Sequence, residues 1–238
     1  MIQKQILCVM LLCLIWTLTG PTNISRADDE TINSVGKVVC LGDSITKRGY
    51  PKILGEQLKV EAVNAGIAGN TSREGLRRIE KDVFSKDPDV VVIFFGTNDI
   101  RIDSPKKYVE LDEYKSNLEK MIKACRSHKA KVVLCTLPPI ESKPYFTRHD
   151  QKMFDDAGGL NQFVTNYRDA AGEVAKETKT PLVDLNQLLT DDPLWLSKDG
   201  VHPSKEGNAI IAKHIGSAVG PLLKKNETPL QPLQPVDQ

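Results

Sequence analysis

The sequence predicts a doubly wound α/β fold, a parallel sheet with helices on both faces, and three observations carry that prediction. Short apolar runs alternate with segments of helical periodicity along most of the 238 residues. Residues 89–95 read Asp-Val-Val-Val-Ile-Phe-Phe, a continuous apolar run of the kind buried on both faces of a parallel sheet. Ser44, Gly69 and Asn98 each fall just beyond the end of a strand-like run, at the edge where such sheets gather their binding loops.

The elements follow in order. Residues 37–41 form a first strand ending at Gly42, 50–58 a helix, and 61–64 a second strand. A helix is expected over 74–84 from the spacing of Leu76, Ile79 and Val83, followed by the third strand at 89–95. Tyr114, Leu118, Met121, Ile122 and Cys125 share the stripe of the next helix. The fourth strand, 131–136, is stopped by Pro138-Pro139. A long helix over 160–178 turns Phe163, Val164, Tyr167, Ala171 and Val174 inward. Residues 181–185 make the fifth strand, and 205–219 a closing helix with Ser204 as N-cap. Right-handed crossovers then bring every strand's C-terminal end to one edge, so Ser44, Gly69 and Asn98 should converge.

Composition narrows the function. Lys and Arg number 32 against 31 Asp and Glu, and aromatics make up 5% of the chain. That balance gives no reason to expect nucleic acid as a partner. Residues 1–27 read as a secretory signal peptide: Lys4, an apolar run over 6–18, then Ser25-Arg26-Ala27 at a cleavage site. Thirteen apolar residues rise only about 20 Å as a helix, too short for a stable membrane span. The expected organisation is signal 1–27, linker 28–36, one folded domain 37–222 and a Pro-rich, disordered or extended tail 223–238, with the product secreted or periplasmic. Cys40, Cys125 and Cys135 remain after cleavage, an odd number without framework or metal-ligand spacing, so buried free thiols are expected. No cofactor or metal is implied.

Four short segments carry chemistry: Gly42-Asp43-Ser44, Asn64 through Asn70, Gly96-Thr97-Asn98-Asp99, and Asp199-Gly200-Val201-His202-Pro203. Together they supply a serine at a strand-to-helix turn, a glycine amide, an asparagine amide and an Asp/His pair. Acyl transfer requires that set: a nucleophile, oxyanion donors and an oriented base. Each segment alone is an ordinary turn; the four in this order are specific. The serine lacks the Gly-x-Ser-x-Gly surroundings of an α/β-hydrolase elbow. Asn70-Thr71-Ser72 is formally a glycosylation sequon, but a glycan beside Gly69 would obstruct the site.

On these blocks the chain resembles the SGNH hydrolases, also called the GDSL lipase and acylhydrolase family, over residues 37 to about 219, and within it the lysophospholipase and thioesterase-like branch. The resemblance implies a flavodoxin-like three-layer α/β/α sandwich with a five-stranded, mostly parallel sheet. It implies Ser44 as nucleophile, His202 and Asp199 as base and its orienting partner, and Ser44, Gly69 and Asn98 as the oxyanion hole. The expected activity is hydrolysis of carboxylic esters or thioesters through an acyl-enzyme, with a lysophospholipid or acyl thioester preferred and a carbohydrate O-acetyl ester as alternative. The substrate is thus a small-molecule, lipid or glycan ester. A non-catalytic binder on the same scaffold would have no use for the full set. The long connection 139–156, with Tyr145, Phe146, Arg148 and His149, and Trp195 just before Asp199, are candidates for the substrate wall.

Overall fold

The computed structural model describes residues 36–223. The signal segment, nearly all of the 28–36 linker and the tail after 223 lie outside the described residues. Within them, strands β1 (Lys37–Gly42), β2 (Glu61–Gly66), β3 (Val90–Phe94), β4 (Lys131–Cys135) and β5 (Leu182–Val183) form one sheet in the order β2-β1-β3-β4-β5. Every pairing is parallel, so the sheet is wholly rather than mostly parallel. This is the flavodoxin order, whose strand direction of travel reverses between β1 and β3.

The helices are α1 (Ser44–Lys47), α2 (Tyr50–Leu58), α3 (Ser72–Arg77), α4 (Ile79–Asp82), α5 (Leu111–Ser127), α6 (Ser142–Tyr145), α7 (Gln151–Asp156), α8 (Leu160–Thr178), α9 (Leu185–Leu189) and α10 (Lys205–Leu223). Alternate strand residues point to opposite faces. Val39, Leu41, Val91, Ile93, Val132 and Leu134 meet the inner stripes of α5 and α8. Val38, Cys40, Val90, Val92, Val133 and Cys135 meet Leu54 of α2 and Ile211 and Ile215 of α10. Residues 90–94 are buried throughout because both faces of β3 are covered, which is why their apolar run does not alternate.

Four differences from the sequence reading have physical causes. The helix expected over 74–84 starts at Ser72, because Thr71 and Glu74 form a reciprocal capping box. It then breaks at Arg78, whose guanidinium leaves to bond the carbonyls of Gly42 and Ala65 and the Asn70 side chain. The fifth strand shortens to two residues, since Asp184 turns to cap α9 and takes a forked ion pair from Arg168. The closing helix runs past residue 219 through Pro221 to Leu223, a residue the sequence reading gave to the tail.

Cys40, Cys125 and Cys135 are free and buried, as expected. Burial pushes the Cys40 and Cys125 thiols up to about 12, so both are inert at neutral pH. Among the described residues no helix is long and apolar enough to cross a membrane.

The central strand tests this packing. Ile93 is fully buried against α5, so Ile93→Ala is expected to cost about 2–5 kcal/mol. A urea titration should show a lower midpoint at unchanged slope; an unmoved midpoint would contradict the packing.

Candidate active site

The site is built where β1 and β3 end. Gly42 and Phe94 are opposite each other in the β1–β3 ladder, so the loops that follow them leave the sheet side by side. Asp43 caps α1 by accepting the Ile45 N–H at 2.8 Å, which places Ser44 as the first helical residue. Asn98 follows β3, and Asp43 also accepts its Nδ2–H at 3.2 Å. One buried carboxylate therefore ties the serine's turn to the asparagine.

The third contribution comes from the C-terminal part of the chain. Leu196 and Pro203 form an antiparallel bridge, and the Ser197 N–H bonds the His202 carbonyl at 2.8 Å, closing residues 197–202 into a tight loop. Gly200 makes the reversal with φ of +75°, a conformation costly for a residue with a Cβ. The Asp199 carboxylate curls back as the spacing implied. Its Oδ1 accepts the N–H groups of Val201 and His202 and the Ser197 hydroxyl, and its Oδ2 lies 2.7 Å from His202 Nδ1. His202 Nε2 lies 2.8 Å from Ser44 Oγ. With Asp199 accepting the Nδ1 proton, Nε2 is left as the acceptor for the serine hydroxyl.

Electrostatics suit a base that is neutral at rest. Burial works against the Asp199 charge, but the backbone N–H groups and His202 outweigh it and hold the carboxyl well below its usual range. His202 is held below its ordinary value, first by burial and further by Arg48 and Arg148, against the pull of Asp199. Beneath the serine, burial pushes Asp43 up to about 7 and Asp99 up to about 6.

Gly69 adopts φ of +74°, the positive value the sequence suggested, and lines the same cavity as Ser44 and Asn98. Among the described residues the Ser44 and Gly69 backbone N–H groups find no acceptor, which leaves them available to an anion. Asn98 differs. Its Nδ2 donates to Asp43 and, at 3.0 Å, to the Asn70 carbonyl. An oxyanion can use that amide only by sharing or displacing one of these bonds. Asn70 itself is engaged by Arg78 at 2.8 Å, so the sequon side chain is part of the site's frame.

The cavity above Ser44 has a volume of about 640 Å³. Of the candidate wall residues, Tyr145 and His149 line it, stacked with ring centroids 4.0 Å apart, and His149 is held by Asp103 at 3.0 Å. Two candidates are not in the wall. Phe146 packs edge-on against Tyr145 and Phe154 on the core beneath. Trp195 is buried with Leu185, Leu189 and Ile211 on the other face of the sheet, because apolar bulk outweighs its closeness in sequence to Asp199. Sequence reasoning missed Asp43, Asp103, Lys47, Arg48 and Arg101. A signal existed for Lys47 and Arg48, three and four residues after the serine and so on its side of a helical turn.

Two measurements probe the site. Asn98→Ala should keep the fold and lose about 10²–10³ in kcat; wild-type turnover would remove Asn98 from the chemistry. Because His202 must be neutral to act as base, kcat/KM should fall as pH drops through its depressed pKa. The midpoint of that acid limb is expected below the ordinary histidine value of 6.5, and a midpoint above it contradicts the stated electrostatics.

The chain is similar to known proteins. The GDSL-like Lipase/Acylhydrolase family model matches residues 40–210. The chain is similar to the isoamyl acetate-hydrolyzing esterase 1 homolog of Rattus norvegicus, 33% identical over 218 residues that cover 84% of this chain and 86% of that one. It is similar to an acetylxylan esterase of Geobacillus stearothermophilus, 28% identical over 222 residues, covering 79% and 96% of the two chains. Among solved structures, a lipase/acylhydrolase from Enterococcus faecalis superposes with a TM-score of 0.66 at 28% identity, over 79% of this chain and 97% of that one. The match spans the sheet and the segments from the serine to the histidine, and with it the chain belongs to the GDSL-like lipase/acylhydrolase family of carboxylic ester hydrolases.

Proposed function

We propose that this chain is an exported serine esterase that removes short acyl groups, acetyl foremost, from an alcohol or a glycan. The observation that carries this reading is the wall of the cavity. Its apolar side chains are Ala68, Val201 and the Tyr145 ring; among the described residues no leucine, isoleucine, phenylalanine or methionine lines it. A long acyl chain gains about 0.8 kcal/mol for each methylene it buries, and among the described residues this wall has no large aliphatic side chain to hold one. That argues against the lysophospholipid and long-chain thioester expected from the sequence and for the O-acetyl alternative. The names of the relatives, for isoamyl acetate and for acetylxylan, support the same choice.

The chemistry follows the geometry. Ser44 Oγ attacks the ester carbonyl carbon while its proton passes to His202 Nε2, and Asp199 stabilises the imidazolium that forms. The oxyanion takes the free N–H groups of Ser44 and Gly69, with Asn98 as the third donor. The intermediate collapses, the C–O bond to the alcohol breaks, and His202 returns the proton to the leaving oxygen. Water, giving a proton to the same His202, then attacks the acyl-serine; the acyl C–Oγ bond breaks, His202 returns that proton to Ser44 Oγ, and the acid leaves. Export rests on the charge and apolar pattern of residues 1–27 and is read by the N-terminal residue of the protein found outside the cell.

The test is the initial rate against p-nitrophenyl acetate, butyrate and octanoate, with wild type and Ser44→Ala in parallel. Acetate should be fastest and octanoate slowest by at least about tenfold, with all turnover lost in the variant. Faster octanoate turnover would return the long-chain reading. Equal rates in both proteins would take Ser44 out of the reaction.

A further inference from the structure

We propose that the mouth of the same cavity binds an anionic group, a carboxylate or a sulfate, on the alcohol part of the ester, held by Lys47, Arg48 and Arg148. The proposal rests on the esterase reading and adds the chemistry of the leaving group. All three cations line the cavity, no aspartate or glutamate among the described residues is in its lining, and the chain as a whole is balanced at 32 basic and 31 acidic residues. The concentration of positive charge is therefore local.

Asp199 is too committed to absorb it. Four hydrogen bonds already fall on its carboxylate, from Ser197, Val201 and the His202 backbone and ring. Arg48 Nη1 lies 3.6 Å and Arg148 Nη1 3.9 Å from its Oδ2, within reach of the charge but beyond a good hydrogen bond. One carboxylate thus faces two guanidiniums whose donors it does not use. Arg148 spends one N–H on the Asp199 carbonyl, at 2.5 Å. Among the described residues the Arg48 guanidinium has no hydrogen bond, and Lys47 Nζ has neither a hydrogen bond nor an ion pair. Arg101, also in the lining, is a contrast: Asp103 takes its Nε and Nη2 donors and neutralises it.

Position decides which part of the substrate carries the charge. Lys47 and Arg48, the last residue of α1 and its C-cap, are three and four residues after Ser44, hence its neighbours on that helical turn. Arg48 and Arg148 lie beside the Asp199 carboxylate, on the side of His202 from which the leaving oxygen receives its proton, and Lys47 lines the same cavity next to Arg48. The oxyanion donors Gly69 and Asn98 belong to other loops. An anion held by these cations is therefore attached to the alcohol, close to the ester oxygen, and guanidinium forks suit a carboxylate or sulfate.

The experiment compares kcat/KM for 3-acetoxybenzoate, 3-acetoxybenzenesulfonate and uncharged methyl 3-acetoxybenzoate, each normalised to its rate of hydroxide hydrolysis. All three deliver the same acetyl group. The anionic esters should be preferred by about tenfold at low salt. The preference should vanish between about 0.01 M and about 1 M NaCl, as the screening length falls from about 30 Å to about 3 Å. It should also vanish in the triple variant Lys47→Gln, Arg48→Gln, Arg148→Gln, where the methyl ester reports any loss shared by all substrates through Asp199. Which anion is preferred separates carboxylate from sulfate. A wild-type ratio of about one, unmoved by salt, overturns the anion site whatever the variant does. Ser44-dependent turnover of the methyl ester alongside that result leaves the esterase reading standing. Failure to hydrolyse any of the three, or equal rates in Ser44→Ala, overturns both.

Discussion

The parallel register of β1 against β3 is the constraint on which the rest of the site depends. Gly42 sits opposite Phe94, so the turn that carries Ser44 and the loop that carries Asn98 leave the sheet at the same height. The order β2-β1-β3-β4-β5 makes this the point where the sheet's winding reverses. The crossovers on either side of it diverge to opposite faces and leave a crevice between them. Arg78 braces the same edge from below, joining the carbonyls that end β1 and β2 to the Asn70 side chain. A polar hub of this kind costs a helix its continuity, and α3 and α4 are separated for that reason.

Inside this frame, two carboxylates have opposite tasks and opposite environments. Asp199 is surrounded by donors, remains ionised and steadies His202. Asp43 is buried beneath the nucleophile with fewer donors, and burial raises it to about 7. Its work is geometric. By accepting from Ile45 and from Asn98 it couples the serine's helical turn to an oxyanion donor on a different loop. Burial disfavours a charge at this position, and the hydrogen bonds from Ile45 and Asn98 hold the carboxyl group between the two loops.

On the proposed reading the cavity takes a small acyl group on a polar alcohol. Ala68, Val201 and the Tyr145 ring are its apolar side chains among charged and polar ones, and that ring is stacked on His149.

Much of the chemistry was legible along the chain because it is local. A glycine-containing turn after a strand, a positive-φ glycine, and an Asp three residues before a His are short-range patterns, and Ser44, Gly69, Asp199 and His202 stand where those patterns place them. The ends of α2 and α8 were equally legible from apolar periodicity. What the sequence could not determine depended on partners distant along the chain. Arg78 broke a helix for carbonyls up to 36 residues away, and Arg148 reached Asp199 across 51. Trp195 lies four residues from Asp199 yet packs on the far face, and Asn98 spends its amide on Asp43 from 55 residues away. Hydrogen-bond satisfaction and burial are settled only when the layers close. The sequence by itself determined which groups can react; tertiary packing decided which of them meet and what lines the space between them.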